Sequence, residues 1–556
     1  MNTAGANARA RSAALAAAAA TERHPVSVVT YRSAGRVLVI GDDSAVLEVA
    51  ARIAVHEHLS CTVVVNTLAS DGRPANLRDH GTGVIQAPVA GLTGHLGNFQ
   101  VMVESPGAAR SLHEFTGHAP ASVDLVLDLG ESPLLVSEVL PPGYYAPGRD
   151  AGRLQAVLEE LPDMVGEFEK PRFFQYNPSI CAHGRSGITA CTRCLDSCPT
   201  GAIVPDGEGI RVDPNLCQGA GSCATACPTG AITYNYPRAG DTLRQLRLAL
   251  KTYYGAGGRR AVLLFHDSGR GREALGRWSQ ELPHEVLALE VEEAGSVGMD
   301  TWLAALAYGA SAVVVLVSPQ TPARVAAEIR TQLEYARTIL DGLGYPAGAL
   351  QIAGDQQDDL MDILRDLPEA DCFCPGDFAP LDDKRTVIRL AVDHLFDQAP
   401  STRLMTPLPA GAPFGEIQVD PERCTLCMAC VSQCPAHALL AGDDTPQLRF
   451  IEDNCVQCGL CCRSCPENAI VASPRYLYER DKRLGIRVLY EEEPFCCIHC
   501  GKAFANSTMI AHMTAKLRGH PMFHGKALDR LKMCEDCRVK DMAAGQEGGA
   551  MPGGFS

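Results

Sequence analysis

The chain has 556 residues, 24 of them Cys, and its 65 Asp and Glu outweigh its 49 Lys and Arg, leaving a formal charge of −16. At roughly 150 residues per domain, the length predicts three or four domains. The acidic balance argues against a general nucleic-acid or anionic-membrane binder, both of which need excess Lys and Arg, and a hydrophobic share of 46% excludes a mostly disordered chain.

In chain order, residues 1–30 read as a disordered or frayed leader. The Ala-rich run after Arg9 and Arg11 holds a single Leu and the arginines are not adjacent, so neither a Sec nor a twin-arginine signal is expected. Residues 31–165 read as an α/β domain, with RVLVIG, CTVVV and DLVLDL as buried strands. Its first turn, Gly41-Asp42-Asp43-Ser44, has one glycine and two acids, poor for cradling a pyrophosphate, so a structural turn is expected. A first Cys-dense block spans 171–236. In 241–400, AVLLFH, VLALEVEE, AVVVLV and LQIAG alternate with helical stretches, which predicts a parallel sheet in a second Rossmann-like domain. The charge-free stretch from Thr301 to Ala323 is long enough to suggest a membrane span, but Tyr308-Gly309-Ala310-Ser311 divides it into helix, turn and buried strand. A Pro- and Gly-rich linker, TPLPAGAPFGE, leads into the second Cys-dense block at 412–475. Residues 485–540 form a small Cys-His region, and the Gly-rich tail 541–556 is expected to be disordered. The fold class is therefore multidomain α/β plus α+β, and a cytoplasmic setting is expected. In a reducing compartment, clustered cysteines are metal ligands rather than disulfides.

Four segments repeat one pattern, in which closely spaced Cys are followed by Cys-Pro and, two residues later, by Ala and an aliphatic. CPTGAI occurs at Cys198 and Cys227, CPAHAL at Cys434 and CPENAI at Cys465. In the second block, Cys424, Cys427, Cys430 and Cys434, then Cys455, Cys458, Cys461 and Cys465, are both C-x2-C-x2-C-x3-C-P. In this run three thiolates wrap one iron–sulfur cubane and the fourth crosses to its neighbour. The expected [4Fe-4S] ligand sets are Cys424, Cys427, Cys430 with Cys465, and Cys455, Cys458, Cys461 with Cys434. Tetrahedral Zn has no use for such crossing.

The first block departs from the run twice. Cys191, Cys194 and Cys198 are in place, but Ile188 stands where the leading Cys should be, and the nearest upstream thiol is Cys181. Loop-closure entropy grows slowly with length, so the nine-residue excursion AHGRSGITA can return Cys181 to its partners. Cys181, Cys191, Cys194 and Cys227 form the third expected [4Fe-4S] set. In the second motif Cys217, Cys223 and Cys227 hold register, but the second ligand position is Ala220. Cys217, Cys223 and Cys198 leave three thiolates, which predicts a [3Fe-4S] cluster or a [4Fe-4S] cluster with one labile iron. The lower negative charge of that ligand shell would make it the easiest to reduce.

Near the C-terminus, Cys497-x2-Cys500 and Cys534-x2-Cys537 are two paired-Cys knuckles, the ligand set of a structural Zn. A further Fe-S cluster and free thiols remain alternatives. Basic residues nearby, Lys516, Arg518, Lys526 and Arg530 among them, fit a solvated face docking an acidic partner as well as a nucleic-acid contact. Cys61 reads as a small core residue, Cys462 and Cys496 as bystanders, and Cys372-Phe-Cys374-Pro as a redox pair or a plain loop. Gly269-Arg270-Gly271-Arg272-Glu273-Ala274, with Glu290 beyond it, partly matches a dinucleotide fingerprint, but two arginines favour a structural turn.

The two Cys blocks resemble bacterial 2[4Fe-4S] ferredoxin modules. The segment EVLALEVEEAGSVGMDTWLAALAYGASAVVVL is similar to the delta subunit of methyl-viologen-reducing hydrogenases, a small protein that relays electrons toward heterodisulfide reductase. Such subunits carry more cysteines for their own [2Fe-2S] cluster, whereas here only Cys372 and Cys374 lie near. The whole arrangement looks like the polyferredoxins that accompany formate dehydrogenases or other redox complexes. That resemblance implies single-electron relay between redox partner proteins, with no catalytic residue of the chain's own. The alternatives are an electron-input subunit that binds flavin or NAD in an α/β domain, and an iron–sulfur sensor.

Overall fold

The computed structural model describes residues 3–42, 45–67, 75–79, 82–105, 108–116, 121–367, 374–443 and 445–546. RVLVIG forms the strand Arg36–Gly41, buried on both faces, as a near-continuous apolar run in a parallel sheet must be. It pairs in parallel with Ser60–Val65 on one side and Leu125–Asp128 on the other, so Val37 sits between Cys61 and Leu125. Thr82–Gln86 extends this sheet in parallel and Ala75–Asp79 closes it antiparallel.

The second sheet is wholly parallel, in the order Val286–Val291, Val262–Asp267, Ala312–Leu316, Leu350–Ala353. The stretch with span-like hydropathy divides as its sequence indicates. The helix Met299–Ala307 is buried along its whole length, Gly309 turns at φ +105, and the strand Ala312–Leu316 is buried throughout. Among the described residues no helix is long and apolar enough to cross a membrane.

The leader departs from expectation. Thr3–Ala19 is a helix, and Ala10, Ala14 and Ala18 are buried with Leu243, Leu246 and Leu250 of the helix Ala239–Gly255 in one core. Alanine is the strongest helix former and its small side chain lets two backbones approach closely, so a seam without large apolar residues still packs. Arg11 Nη1 donates to Leu282 O and Pro283 O, and Asn7 Oδ1 accepts from Arg259 N at 3.0 Å. After a short connection, Val28–Ser33 pairs antiparallel with Gly166–Pro171. This ribbon reaches the first Cys block, where Tyr31 donates to Asn215 O, and Lys170 Nζ donates to Asn215 O at 2.9 Å and Cys217 O at 2.6 Å. At the other end the helix Glu535–Gln546 includes the first six residues of the Gly-rich tail expected to be disordered; its remainder lies outside the described residues.

Candidate metal centres

The cysteine motifs share a backbone device. Cys424-Thr425-Leu426-Cys427-Met428 turns through left-handed conformations at Leu426 (φ 49) and Met428 (φ 60), and Cys455-Val456-Gln457-Cys458-Gly459 does so at Gln457 (φ 52) and Gly459 (φ 81). Cys217-Gln218-Gly219-Ala220-Gly221 repeats it at Gly219 (φ 79) and Gly221 (φ 78), although no sulfur stands at 220. A further left-handed residue follows each Cys-Pro, at Gly201, Gly230, His437 and Asn468. Left-handed conformations cost a non-glycine residue about 1–2 kcal/mol. Five of these positions bear side chains, and strain of that kind concentrates where a loop must aim groups at one point.

The fold gathers predicted ligands of each Cys block into one cluster, Cys181, Cys194, Cys198, Cys217, Cys223 and Cys227 in the first and Cys424, Cys430, Cys434, Cys455, Cys461 and Cys465 in the second. Burial, reinforced by the charges of Cys227, Cys191 and Cys181, pushes the Cys194 thiol up. The same combination raises Cys223 beside Cys217 and Cys198, and raises Cys430 to about 12 beside Cys424, Cys427 and Cys465. Cys455, buried next to Cys434 and Cys458, is likewise pushed up to about 12, and Cys461 is raised chiefly by its hydrogen bond with Cys462 and by burial. Closely gathered sulfurs are a donor set suited to bound cations. Donors already point at the sulfurs: Ala438 N and Ala469 N lie 3.3 Å from Cys434 Sγ and Cys465 Sγ, and the Thr200 and Thr229 hydroxyls lie 3.4 and 3.5 Å from Cys198 Sγ and Cys227 Sγ.

The excursion after Cys181 is a hairpin. Gly184–Arg185 pairs with Ile188–Thr189 across Ser186 (φ 49) and Gly187 (φ 78), the left-handed pair that a tight two-residue turn needs. It carries Cys191 back beside Ala182, where Cys191 N donates to Ala182 O at 3.2 Å and the His183 ring contacts Cys191 O at 2.8 Å. His183 thus supports the loop from its backbone.

Two of the groups line apolar pockets of similar size that are partly open to solvent. About 370 Å³ lies among Cys434, Cys455, Cys458, Cys461, Ile417 and Phe450. About 400 Å³ lies among Cys198, Cys217, Cys223, Ala220, Phe173 and Tyr234. Thiols around a largely apolar space fit an iron–sulfur cluster in both. In the second pocket Ser222 donates to Ser197 O at 2.8 Å, Tyr234 to Gly219 O at 2.9 Å, and Thr200 is engaged with Cys198.

Cys497, Cys500, Cys534 and Cys537 place their sulfurs within 4.8 Å of one another. Gly501 (φ 75) makes the tight turn after the second thiol, with Gly501 N donating to Cys497 O at 2.9 Å. Burial opposes ionisation of Cys497, but the N–H groups of Cys534, Cys500 and His499 outweigh it and draw the thiol down to about 6. Four converging sulfurs with a ready thiolate fit a tetrahedral divalent metal. This module touches the second Cys block, where Asn506 Nδ2 donates to Thr425 O at 3.1 Å.

The weaker motifs are absorbed by structure. Asp267 Oδ1 accepts from Gly269 N at 2.9 Å and Gly271 N at 3.1 Å, taking up N–H groups that a pyrophosphate would use. Arg272 pairs with Glu290, occupying the acid that would hold a ribose. Cys61 is half-buried in its strand, its thiol raised to about 12 by burial. Cys374 and Cys496 are exposed and Cys462 is half-buried, while Cys372, the other member of the Cys372–Cys374 pair, lies outside the described residues. Sequence reasoning passed over three cations that grip these loops from below: Lys170, Lys384 and Arg385. A Lys or Arg at a strand end or helix start carries no spacing signal that could have marked them.

Compared with known proteins, residues 189–231 match the family model of the 4Fe-4S dicluster domain and residues 417–440 that of the 4Fe-4S binding domain. No curated protein matches the chain. The molecule is thus a mixed α/β protein with parallel sheets, ferredoxin-type domains and a C-terminal four-cysteine cluster. Its iron–sulfur binding domains point to electron transfer.

Proposed function

We propose that the chain relays single electrons between redox partner proteins by holding about four iron–sulfur clusters. The single observation that carries this reading is the gathering of motif cysteines within each Cys block on repeated loops that turn through left-handed conformations. Cys424, Cys427, Cys430 and Cys465 would hold one [4Fe-4S] cluster, Cys434, Cys455, Cys458 and Cys461 a second, and Cys181, Cys191, Cys194 and Cys227 a third. Cys198, Cys217 and Cys223 would hold a [3Fe-4S] cluster, or a [4Fe-4S] cluster with one labile iron, because Ala220 offers no ligand while Ser222 and Tyr234 of that pocket bond to backbone carbonyls. When bound, such groups supply one-electron carriage at a potential set by charge, hydrogen bonds and exposure. The protein's part is to fix the thiolates, exclude water with the apolar linings and aim N–H and O–H donors at sulfur.

At the C-terminus, Cys497, Cys500, Cys534 and Cys537 would hold a structural Zn, contributing on the order of 10–16 kcal/mol to folding this small module. A redox complex built around a formate dehydrogenase or a similar enzyme would supply donor or acceptor. The commitment of Asp267 and Arg272 speaks against a nucleotide in the second α/β domain. Anaerobic isolation with iron, acid-labile sulfide, zinc and flavin assayed on one sample tests the whole reading. Three [4Fe-4S] clusters, a fourth of the [3Fe-4S] or labile-iron type, one zinc and no flavin are expected, and absence of labile sulfide overturns it. A strong chelator should remove the zinc and melt residues 494–546 while the iron–sulfur absorbance persists.

A further inference from the structure

The helix Lys384–Asp397 starts on Asp383, whose carboxylate accepts from Thr386 N at 2.7 Å. Its first two side chains reach the seam between the Cys blocks. Arg385 is buried, and its Nη1 donates to Pro228 O at 3.3 Å and Pro413 O at 3.0 Å. Its Nη2 donates to Asp453 O and Cys455 O, both at 3.0 Å, and the guanidinium lies 4.8 Å from the Phe414 ring centroid. Lys384 Nζ donates to Ala224 O and Cys227 O, both at 3.1 Å, and to Thr225 O. All these partners are neutral. The carboxylate of Asp453 is engaged by Arg389 at 2.8 Å and Arg483 at 2.7 Å, and among the described residues no carboxylate pairs directly with Lys384 or Arg385.

A buried cation needs opposite charge nearby: the carboxylates of Asp300 and Glu328 supply part of it to Lys384 and that of Asp453 to Arg385, none of them in direct contact, and the neighbouring cysteine sulfurs supply the rest. The loops that these two cations hold both carry predicted cluster ligands, Cys227 in one block and Cys455 in the other. The two blocks also meet at this seam: Arg463 donates to Thr189 O, Gln433 Nε2 to Ser186 Oγ at 2.8 Å, and Arg185 Nη1 to Ser432 O at 3.4 Å. The loop leading to Cys191 and the segments flanking Cys434 and Cys461 therefore meet, while Lys384 and Arg385 hold the neighbouring loops of Cys227 and Cys455.

We infer that Lys384 and Arg385 are positioning residues that supply the internal counter-charge for the two iron–sulfur groups that include Cys227 and Cys455, lock their loops into one unit and raise both reduction potentials. The inference rests on the ligand sets of the proposed function. A reduced cluster carries one more negative charge than an oxidised one, so a fixed cation nearby in a low-dielectric seam favours the reduced form. Both cations bond to carbonyls and not to sulfur, so they act through charge.

The test is an EPR-monitored potentiometric titration of the full-length, cluster-loaded protein, comparing wild type with Arg385→Met, Lys384→Met and the charge-conserving Arg385→Lys and Lys384→Arg. At a fixed potential, each Met variant should lower the reduced-to-oxidised ratio of two of the [4Fe-4S] clusters at least tenfold, a downward shift of about 59 mV for one electron. The midpoints of the third [4Fe-4S] cluster and of the cluster beside Ala220 should stay in place, and the charge-conserving variants should recover most of the shift. Full cluster content with unmoved midpoints in the Met variants overturns the inference. Wild-type protein holding fewer than four clusters by iron and sulfide overturns the ligand reading beneath it. Should Arg385→Met fail to accumulate, the Lys384→Met titration decides by the same criterion.

Discussion

The loops Cys217–Gly221 and Cys455–Gly459 share a backbone and differ by one sulfur. Both pass through two left-handed residues flanking the second ligand position, and both line a pocket of 370–400 Å³. They differ in what holds them. A side chain added at Gly221 would lie 2.4 Å from Ser296 Cα, and one at Gly295 would lie 2.4 Å from Ala220 O, so the first loop is pressed against the turn Ala294–Ser296 of the second α/β domain. A side chain at Gly459 would meet nothing within 4 Å, and the second loop is held instead by Arg385, whose Nη2 donates to Cys455 O at 3.0 Å. The difference teaches that the ligand loop is specified by its backbone residues, and that losing a thiolate at 220 leaves the loop intact because the neighbouring domain supports it.

The comparison breaks most sharply by exchanging the two residues. Ala220→Cys should supply the fourth thiolate to a loop already shaped for it, replacing the EPR signal of the [3Fe-4S] or labile-iron cluster with that of a fourth, fully thiolate-ligated [4Fe-4S] species. Cys458→Ala should do the reverse, giving a second signal of the [3Fe-4S] or labile-iron type. Retention of the wild-type signal in Ala220→Cys would mean that the loop does not present position 220 to the cluster.

Smaller effects separate the two supports. Gly459→Ala should cost about 1–2 kcal/mol, the strain of placing a side chain at positive φ. Gly221→Ala should cost about 3–5 kcal/mol, because overpacking against Ser296 adds to the same strain. Anaerobic denaturant titrations of the two variants measure both, and equal losses would refute the claim that Gly221, unlike Gly459, is pressed against a neighbouring turn.

How much of this was legible follows from what kind of signal each feature leaves. The cysteine motifs could be read from sequence because cluster ligation demands Cys at fixed spacing, whereas the excursion after Cys181 is legible only as a loop able to return, and the hairpin turning at Ser186-Gly187 comes from the structure. The parallel strands were legible as apolar runs, as was the turn at Gly309 that divides the span-like stretch. The docked helix Thr3–Ala19 was not, because an alanine seam has no contrast between apolar and polar faces to detect. Neither were Lys384 and Arg385, which follow two aspartates and resemble an ordinary capped helix start until the fold buries them. The bracing of Ala220 by Gly295 was equally hidden, since it joins residues distant in sequence through close backbone approach.

The mildest probe of that bracing is pH. Glu293 opens the turn Ala294–Ser296, with its carbonyl accepting from Ser296 N at 2.9 Å and Ser296 Oγ at 2.7 Å. Burial, aided by the charges of Asp267 and Glu292, raises its carboxyl from 4.5 to about 7. Between these values the folded protein binds a proton that the unfolded chain has released, so stability falls as pH rises through that window and is fully retained below it. At about 1.4 kcal/mol per pKa unit, and allowing for partial solvent screening, the loss should be about 2 kcal/mol. Glu293→Gln cannot ionise and should lose this slope, so its stability relative to wild type should rise by that amount between pH 4.5 and 7.5. The iron–sulfur absorbance should bleach at a higher denaturant concentration in Glu293→Gln than in wild type at pH 7.5 and at the same concentration at pH 4.5. A pH slope that survives in Glu293→Gln would place the responsible carboxyl elsewhere and detach Glu293 from the support of Ala220.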